Sequence, residues 1–133
     1  MREIKFRTWN PKFNYFEYWG FYNDDTDNKP YFKGTPSGGG FVSNQILDNT
    51  EQFTGLRDKN GKEIYEGDIV RYKNKDESGT AKIEYLPGSF IFNWKDQNTL
   101  HPSIIDSAFY FGCSSELDVI GNIHEYPELM ESK

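Results

Sequence analysis

The chain has 133 residues, a formal net charge of −6, and only 35% hydrophobic residues, although 17% of all residues are aromatic. This length predicts one compact unit or two small subdomains that share a core, and the large aromatic side chains offset the scarcity of aliphatic ones. The charge argues against broad attraction to DNA or to an anionic membrane. The single cysteine excludes an intramolecular disulfide and suits a reducing cytoplasm, and no apolar run approaches the ~20 residues of a membrane span.

The N-terminal half begins with two predicted strands. Side chains alternate over residues 3–9, which indicates a half-buried strand with a basic face at Lys5 and Arg7. After an Asn-Pro-Lys turn, residues 13–22 form a second strand with aromatic side chains on both faces. Such a strand is either buried on both sides or presents one face to a partner groove or to stacked nucleic-acid bases. Its candidate binding residues are Tyr15, Tyr18 and Trp19.

Two loops in this half resemble ligand-binding motifs without meeting them. The acidic segment 23–30 lacks the Gly at the sixth position and the Glu at the twelfth position of an EF-hand calcium loop. The glycine-rich segment 34–40 has no Lys followed by Ser or Thr, so it lacks the charge that a phosphate-binding loop directs at its ligand. Both segments are predicted to be loops. For residues 41–50 the sequence is compatible with either a strand or a short helix. We predict no metal ion and no cofactor.

The stretch from Phe53 to Val70 organises the chain, because it holds two turns between predicted strands. The first turn begins with an Asp and ends with Asn-Gly, a pair that tolerates positive φ angles. The second turn is a Glu-Gly pair followed by an Asp, whose carboxylate is placed to accept hydrogen bonds from nearby backbone N–H groups. The candidate structural residues of the two turns are Asp58, Asn60, Gly61, Gly67 and Asp68.

The second half of the chain carries the clearest β pattern. Apolar and polar side chains alternate in segments that are joined by short loops, and one more such segment follows near the C-terminus. The predicted strands are 69–72, 80–86, 89–94 and 116–125, of which the first three form a meander. For the segment 100–115 the sequence is compatible with either a short helix or a strand.

These patterns together predict a mainly β fold with little helix. A turn that feeds a β-branched strand is typical of the entry to small SH3-like barrels, so we expect such a barrel from about Tyr65 to Glu125. The N-terminal β region, residues 1–52, is predicted to pack on the C-terminal half, residues 53–130. The 133 residues would then form a single domain.

Three blocks of the sequence resemble the YopX family of phage and prophage proteins. The N-terminal block is MREIKFR with Trp9, the central block comprises TGL, DKNGKEI and YEGDIV, and the C-terminal block is VIGNIHE followed by PEL. Because the blocks lie at both ends and in the middle, the resemblance spans the chain. It implies a small, mostly β protein in the cytoplasm of a bacterial host cell. The family has no established activity, so the resemblance transfers no catalytic residue.

Cys113, His101 and His124 are the residues best suited to chemistry, and none has the companions that a nucleophile or a metal site requires. Cys113 lies among aromatic residues in the sequence, which suits a buried inert thiol. The carboxylates of Glu63 and Glu66 would serve a hydrolase only if they converged in a cleft, so a hydrolase is the least favoured alternative. We therefore predict no catalytic residue and no enzyme activity.

Function is predicted to be binding. The first hypothesis is a non-catalytic protein-interaction module, whose partner is a host or phage protein or a second copy in a homo-oligomer, because aromatic side chains and exposed sheet edges suit such contacts. The alternative is a nucleic-acid-binding SH3-like barrel, in which aromatic side chains stack on bases beside a basic patch. Steep salt dependence distinguishes the second hypothesis from the first. The basic patch would comprise Arg2, Lys5, Arg7 and Lys12, or Arg71, Lys73 and Lys75.

Overall fold

The computed structural model describes residues 3–24, 26, 29–34, 49–73, 78–86, 89–95 and 116–131, and within these ranges nine β-strands and a 3₁₀ helix form. The 3₁₀ helix, Pro127–Met130, begins with a proline. Proline suits this position because the first N–H groups of a helix have no partner within it, so the absence of one costs no hydrogen bond. None of the helical structure in these ranges has the length and hydropathy that crossing a membrane requires. The strands are β1 (Ile4–Asn10), β2 (Tyr15–Asn23), β3 (Pro30–Lys33), β4 (Thr50–Arg57), β5 (Glu63–Tyr65), β6 (Asp68–Lys73), β7 (Ser78–Leu86), β8 (Ser89–Trp94) and β9 (Leu117–Asn122).

The chain divides after Gly55 into two compact units, Met1–Gly55 and Leu56–Lys133. The first sheet has the order β3-β2-β1-β4-β5, and β4 runs across the division. In the first unit β1 pairs with β2 along its whole length and with β4 on its other side, and β2 also pairs with β3. All of these pairings are antiparallel, so residues directly opposite one another share a face of the sheet.

The second unit contains a four-stranded antiparallel sheet of order β8-β7-β6-β9. Strands β6, β7 and β8 follow one another as the predicted meander, and β9 pairs with the other side of β6, with a bulge at Ile69 and Val70. Side chains at alternate positions of these strands pack into one core, as the two-residue period of a strand requires. The buried members of this core are Ile64, Val70, Ala81, Ile83, Phe92, Trp94, Leu117 and Val119.

The prediction of a mainly β fold with little helix is confirmed, because the described residues form two antiparallel sheets and almost no helix. The SH3-like barrel expected from Tyr65 to Glu125 is not confirmed. Among the described strands, β8 and β9 are the end strands of the second sheet, and no closed barrel is found in the part of the chain that the structure describes.

The boundaries of two other elements differ from the prediction. The strand expected at 116–125 ends at Asn122, because the Asn122 side-chain oxygen accepts hydrogen bonds from the backbone N–H groups of His124 and Glu125, both at 3.0 Å, and so closes a turn. Strand β4 was not predicted as a full strand, since its residues lie between an ambiguous segment and the first turn and lack a clear apolar alternation. The Asn-Gly pair of the first turn therefore predicted local structure more clearly than the residues of β4 did.

Candidate functional site

Strand β1 turns its basic side chains inward. Lys5 and Arg7 are both buried, whereas Ile4, on the other face of the strand, is exposed. Lys5 and Arg7 are therefore unavailable for the basic patch predicted at the N-terminus. Lys12 is exposed in the turn after β1, and Arg2 lies outside the described residues.

A carboxylate from β4 explains how Arg7 is accommodated. Glu51 lies directly opposite Arg7 in the pairing of β1 with β4, and the Arg7 Nε donates a hydrogen bond to Glu51 Oε1 at 2.9 Å. The Arg7 guanidinium also lies over the Phe16 ring, with its central carbon 4.2 Å from the ring centroid. Buried charges are tolerated when they are paired and hydrogen-bonded, so Glu51 is the reason that Arg7 can point inward.

Lys5 is held by a different set of neighbours. Its ammonium lies 3.2 Å from Glu3 Oε1 and faces two aromatic rings, with centroid distances of 4.7 Å to Phe53 and 5.1 Å to Tyr22. The long methylene stem of lysine allows this burial, since the stem is apolar and the charge meets a carboxylate and two ring faces. The face of β1 that carries basic residues is thus a packed face.

The other face of the first sheet carries apolar side chains, and we call the set Ile4, Phe6, Trp19, Phe21 and Phe32 the aromatic face. Ile4, Phe21 and Phe32 form one row across β1, β2 and β3, with exposed fractions of 37%, 47% and 57%. The Phe21 and Phe32 ring centroids are 5.1 Å apart. In the next row Phe6 and Trp19 stack with centroids 4.6 Å apart. Three neighbouring strands therefore present a continuous apolar surface.

The three binding residues predicted on β2 do not share one face. Tyr15 and Trp19 lie on the side of the aromatic face, whereas Tyr18 lies opposite Arg7 on the other side. Tyr15 and Tyr18 are exposed, and Trp19 is half-buried, with its indole N–H donating a hydrogen bond to the Thr8 hydroxyl at 3.0 Å. Only Trp19 belongs to the aromatic face.

The carboxylate of Asp58 forms the centre of the first turn. Its Oδ1 accepts hydrogen bonds from the backbone N–H groups of Asn60 at 2.8 Å and Lys62 at 2.9 Å, and its Oδ2 accepts one from Val119 at 2.9 Å. Burial by itself would raise the pKa of Asp58, but these three N–H groups and the nearby Lys62 charge outweigh burial and lower the pKa below its ordinary value. The ionised carboxylate thus joins the turn to β9.

Further contacts fasten the same turn to β9. The backbone N–H of Lys59 donates to the Leu117 carbonyl at 3.0 Å, and the Asn60 side-chain amide donates to Asp118 Oδ1 at 3.2 Å. Gly61 has a φ of +84°, which a glycine adopts without strain. The structure therefore places Asp58, Asn60 and Gly61 together in a turn that holds the last strand of the second sheet.

Gly67 and Asp68 form the second turn, between β5 and β6. Gly67 has a φ of +82°, its N–H donates to the Ile83 carbonyl at 2.7 Å, and its carbonyl accepts from the Ile123 N–H at 3.0 Å. The Asp68 Oδ2 accepts from the Tyr65 N–H at 2.8 Å. This turn is therefore bonded to both β7 and the turn that follows β9.

We expect Gly67→Val to destabilise the protein by about 3 kcal/mol, since a β-branched residue at this φ is strained and the two backbone hydrogen bonds would be distorted. Urea unfolding followed by circular dichroism measures the loss. Gly34→Val is the matched control, because Gly34 does not have a positive φ and a Cβ there meets nothing within 4 Å. Equal midpoints for the two variants would show that the second turn does not organise the fold.

Arg71 and Lys73 lie on β6 in the second unit. Both are exposed on the face opposite the core residue Val70. Arg71 lies opposite Thr80 of β7 and Asp118 of β9, so an acidic residue neighbours the basic one. These two residues belong to a different unit from the aromatic strand β2, and the predicted binding residues therefore fall into two groups.

The residues considered for chemistry are mostly outside the described structure. Cys113 and His101 lie outside it, as does Lys75 of the predicted basic patch. His124 is half-buried in the turn after β9. Within the described ranges, no three Asp, Glu, His or Cys side chains converge in a way that would hold a metal ion.

Comparison with known proteins places this chain in a family. The family model described as YopX protein matches residues 5–131. The chain belongs to the YopX family. The resemblance of the three sequence blocks is thereby confirmed, and both turns and all of the strands except the first residue of β1 lie within the matched range of this YopX-family chain.

A solved structure is similar to this YopX-family chain over almost its whole length. The crystal structure of protein EF1440 from Enterococcus faecalis shares 28% sequence identity with it, covers 96% of this chain and 98% of that chain, and superposes with a TM-score of 0.53. The two chains are thus of similar extent. No curated protein matches this YopX-family chain.

Proposed function

We propose that this YopX-family protein is a non-catalytic module that binds another protein through its aromatic face. The observation that carries the proposal is the row of Ile4, Phe21 and Phe32, three large apolar side chains exposed side by side on adjacent strands. Single exposed apolar residues are ordinary, but a contiguous group of them is typical of an interaction site.

The composition of the aromatic face supports a protein partner. All five of its members are uncharged, and the basic residues of β1 point to the opposite face. The centres of protein interfaces are similarly depleted of charge and rich in aromatic side chains. The ring contacts of Phe6 with Trp19 and of Phe21 with Phe32 also hold these side chains in place before binding, which reduces the entropy that binding would cost.

Strand β3 offers a second means of contact beside the aromatic face. Among the described strands it stands at one end of the first sheet, and all four of its residues, Pro30–Lys33, are exposed. The unpaired backbone groups of an edge strand can pair with a strand of a partner. A partner strand added here would lie next to Phe32 and extend the aromatic face.

The test replaces the two exposed phenylalanines of the aromatic face. We expect Phe21→Ser and Phe32→Ser to weaken partner binding about tenfold or more, because large aromatic side chains at the centre of an interface contribute most of its binding energy. Light-scattering mass after size exclusion measures self-association. Retention of a bacterial protein on the immobilised wild-type chain, compared with each variant, measures binding to a different partner.

Phe13→Ser is the matched control for these variants. Phe13 is 56% exposed, close to the value for Phe32, but it lies in the turn between β1 and β2 outside the aromatic face. The proposal requires that Phe13→Ser bind like the wild type. If Phe21→Ser and Phe32→Ser retain the same partner or the same mass as Phe13→Ser, the aromatic face is not the interface.

Nucleic-acid binding is the second candidate function, and the exposure of Arg71 and Lys73 on β6 favours it. A complex formed through these residues would weaken steeply as the salt concentration rises, whereas a contact through the aromatic face would respond little. Size exclusion of material prepared without nuclease, with absorbance followed at two ultraviolet wavelengths, reveals bound nucleic acid. Bound nucleic acid that salt removes equally from the wild type and from Phe21→Ser would favour the second candidate.

The biological setting is also part of the proposal. We place the protein in the cytoplasm of a bacterium that carries a phage or prophage, which accords with the family resemblance and with the single cysteine. A homo-oligomer is one form that the proposed interaction would take. An SH3-like barrel that includes β6 to β9 remains the finer fold we propose for the second unit.

A further inference from the structure

A crevice of about 450 Å³ lies on the second sheet, on the face opposite its core. Its floor is formed by Arg71 of β6, Thr80 of β7 and Ile120 of β9, and the 3₁₀ helix lines its side. Arg71 and Thr80 are direct cross-strand partners, so their side chains lie next to each other on the floor. This volume lies within the range of sites that bind small molecules.

The 3₁₀ helix is fastened in place beside this floor. Lys95 links it to the end of β8, since the Lys95 ammonium donates a hydrogen bond to the Leu129 carbonyl at 3.1 Å and the Lys95 backbone N–H donates to the Thr80 carbonyl at 2.8 Å. Gly121 lies directly beneath the helix, because a Cβ at that position would come within 2.8 Å of Leu129 Cδ1. The glycine thus permits the helix to approach the sheet.

The charged groups of the crevice do not neutralise one another. Among the described residues, no carboxylate lies within ion-pairing distance of the Arg71 guanidinium, and the carboxylates of Glu128 and Glu131, which also line the crevice, make no ion pair. Arg71 and Lys95 therefore share one small volume with the carboxylates of Glu128 and Glu131, while Asp118 lies opposite Arg71 on β9 but outside the lining. The apolar lining comes from Ile120 and Leu129.

This arrangement selects for one class of ligand. A guanidinium beside a hydroxyl is suited to hold a carboxylate with two hydrogen bonds. The carboxylates of Glu128 and Glu131 would repel a free phosphate ion inside the crevice, and the two cationic residues would repel a simple cation. A ligand that carries one carboxylate and one ammonium on a small apolar body meets all three parts of the lining.

We propose that this crevice binds a small zwitterion of the α-amino-acid type, either a free amino acid with an apolar side chain or a short peptide. Arg71 and Thr80 hold the carboxylate, Glu128 and Glu131 face the ammonium, and the apolar side chain packs on Ile120 and Leu129. The lining of the crevice has no residue in common with the aromatic face, so the protein-binding proposal can fail without affecting this one.

The experiment titrates the full-length protein with L-leucine and with the dipeptide glycyl-L-leucine, and follows backbone amide shifts by NMR. We expect saturable shifts at the crevice with a dissociation constant of about 1 mM for the better of the two ligands. N-acetyl-L-leucine, which lacks the ammonium, and L-leucinamide, which lacks the carboxylate, should each bind about tenfold more weakly. Comparing the affinities of L-leucine and glycyl-L-leucine shows whether the crevice binds a free amino acid or a short peptide.

Two variants on one strand separate specific binding from general charge. Arg71→Gln should abolish the shifts, and Lys73→Gln, which changes the same charge on the same face of β6 outside the crevice lining, should leave them unchanged. Both residues are exposed, so neither change should lower the melting temperature. The proposal is overturned if neither zwitterion produces saturable shifts at 10 mM, roughly ten times the expected constant, if inorganic phosphate competes equally, or if Lys73→Gln weakens binding as much as Arg71→Gln.

Discussion

Gly20→Ala is expected to unfold the first unit. Gly20 has a φ of +126°, and a Cβ on it would collide with the backbone carbonyl of Ile4 and lie 2.9 Å from the Lys5 Cα. These are backbone atoms of the paired strand, so no side-chain rotation relieves the overlap, and β1 would have to separate from β2. We expect a loss of about 4 kcal/mol or more, which is in the range of the most damaging single substitutions.

Urea unfolding gives the size of this loss, and the three indole N–H signals of the NMR spectrum locate it. Trp9 and Trp19 report on the first unit and Trp94 on the second. Gly55→Ala is the control, since Gly55 also has a positive φ, +89°, but a Cβ there meets nothing within 4 Å. That variant should lose only about 1 kcal/mol. A Gly20→Ala protein as stable as Gly55→Ala would show that β1 and β2 are not paired at Lys5 and Gly20.

Asp58→Ala should cost about 4 kcal/mol of unfolding free energy. The change removes the acceptor from three backbone N–H groups, those of Asn60, Lys62 and Val119, and the Asp58 side chain is buried, so water replaces it poorly. Thermal or urea unfolding measures the loss. Asp118→Ala is the control, because the Asp118 carboxylate accepts an exposed bond from the Asn60 side chain, worth about 1 kcal/mol or less. Similar losses for the two variants would contradict the central role of Asp58.

The same carboxylate predicts how stability depends on pH. The folded pKa of Asp58 is below its ordinary value, so its contribution is fully present above about pH 4 and is lost as the pH falls through the folded pKa. Asp58→Asn removes the titrating carboxylate. Because asparagine has one side-chain oxygen, its NH₂ group also faces at least one of the three N–H donors. Its unfolding free energy should therefore be lower than that of the wild type at neutral pH, and the difference should narrow in acid. A constant difference from pH 7 to pH 2 would exclude ionisation of Asp58 as the source.

The parts of the fold that depend on local sequence could be predicted. Alternation over residues 80–86 and 89–94, with a two-residue turn between them, is a sufficient signal for β7 and β8, because side-chain period and turn chemistry both act within a few residues. The first turn could be predicted in the same way, because its signal is the adjacent pair Asn60 and Gly61. By contrast, whether the strands of the second half close into a barrel depends on pairings between strands that are distant in sequence, and alternation carries no information about them.

The orientation of β1 was not predictable for a similar reason. A period of two residues separates Lys5 and Arg7 from Ile4 and Phe6, but it does not say which set is buried. Hydrophobicity alone predicts that Ile4 and Phe6 are the buried residues. Arg7 is buried instead because it pairs with Glu51, which lies on β4 and is distant in the sequence. The zwitterion crevice was not foreseen either, since Arg71 and Glu128 meet there only through the pairing of β6 with β9 and the placement of the 3₁₀ helix.

The pairing of Arg7 with Glu51 also imposes an order on folding. The two residues are 44 positions apart, and contacts of such long separation form more slowly than those of a hairpin such as β1 with β2. During synthesis on the ribosome the hairpin can therefore form while Glu51 is still untranslated, with the Arg7 charge as yet without its carboxylate. We expect the N-terminal hairpin to gain stability when β4 brings Glu51 beside Arg7. In this way the Arg7 charge links the stability of the hairpin to β4, a strand that is translated later.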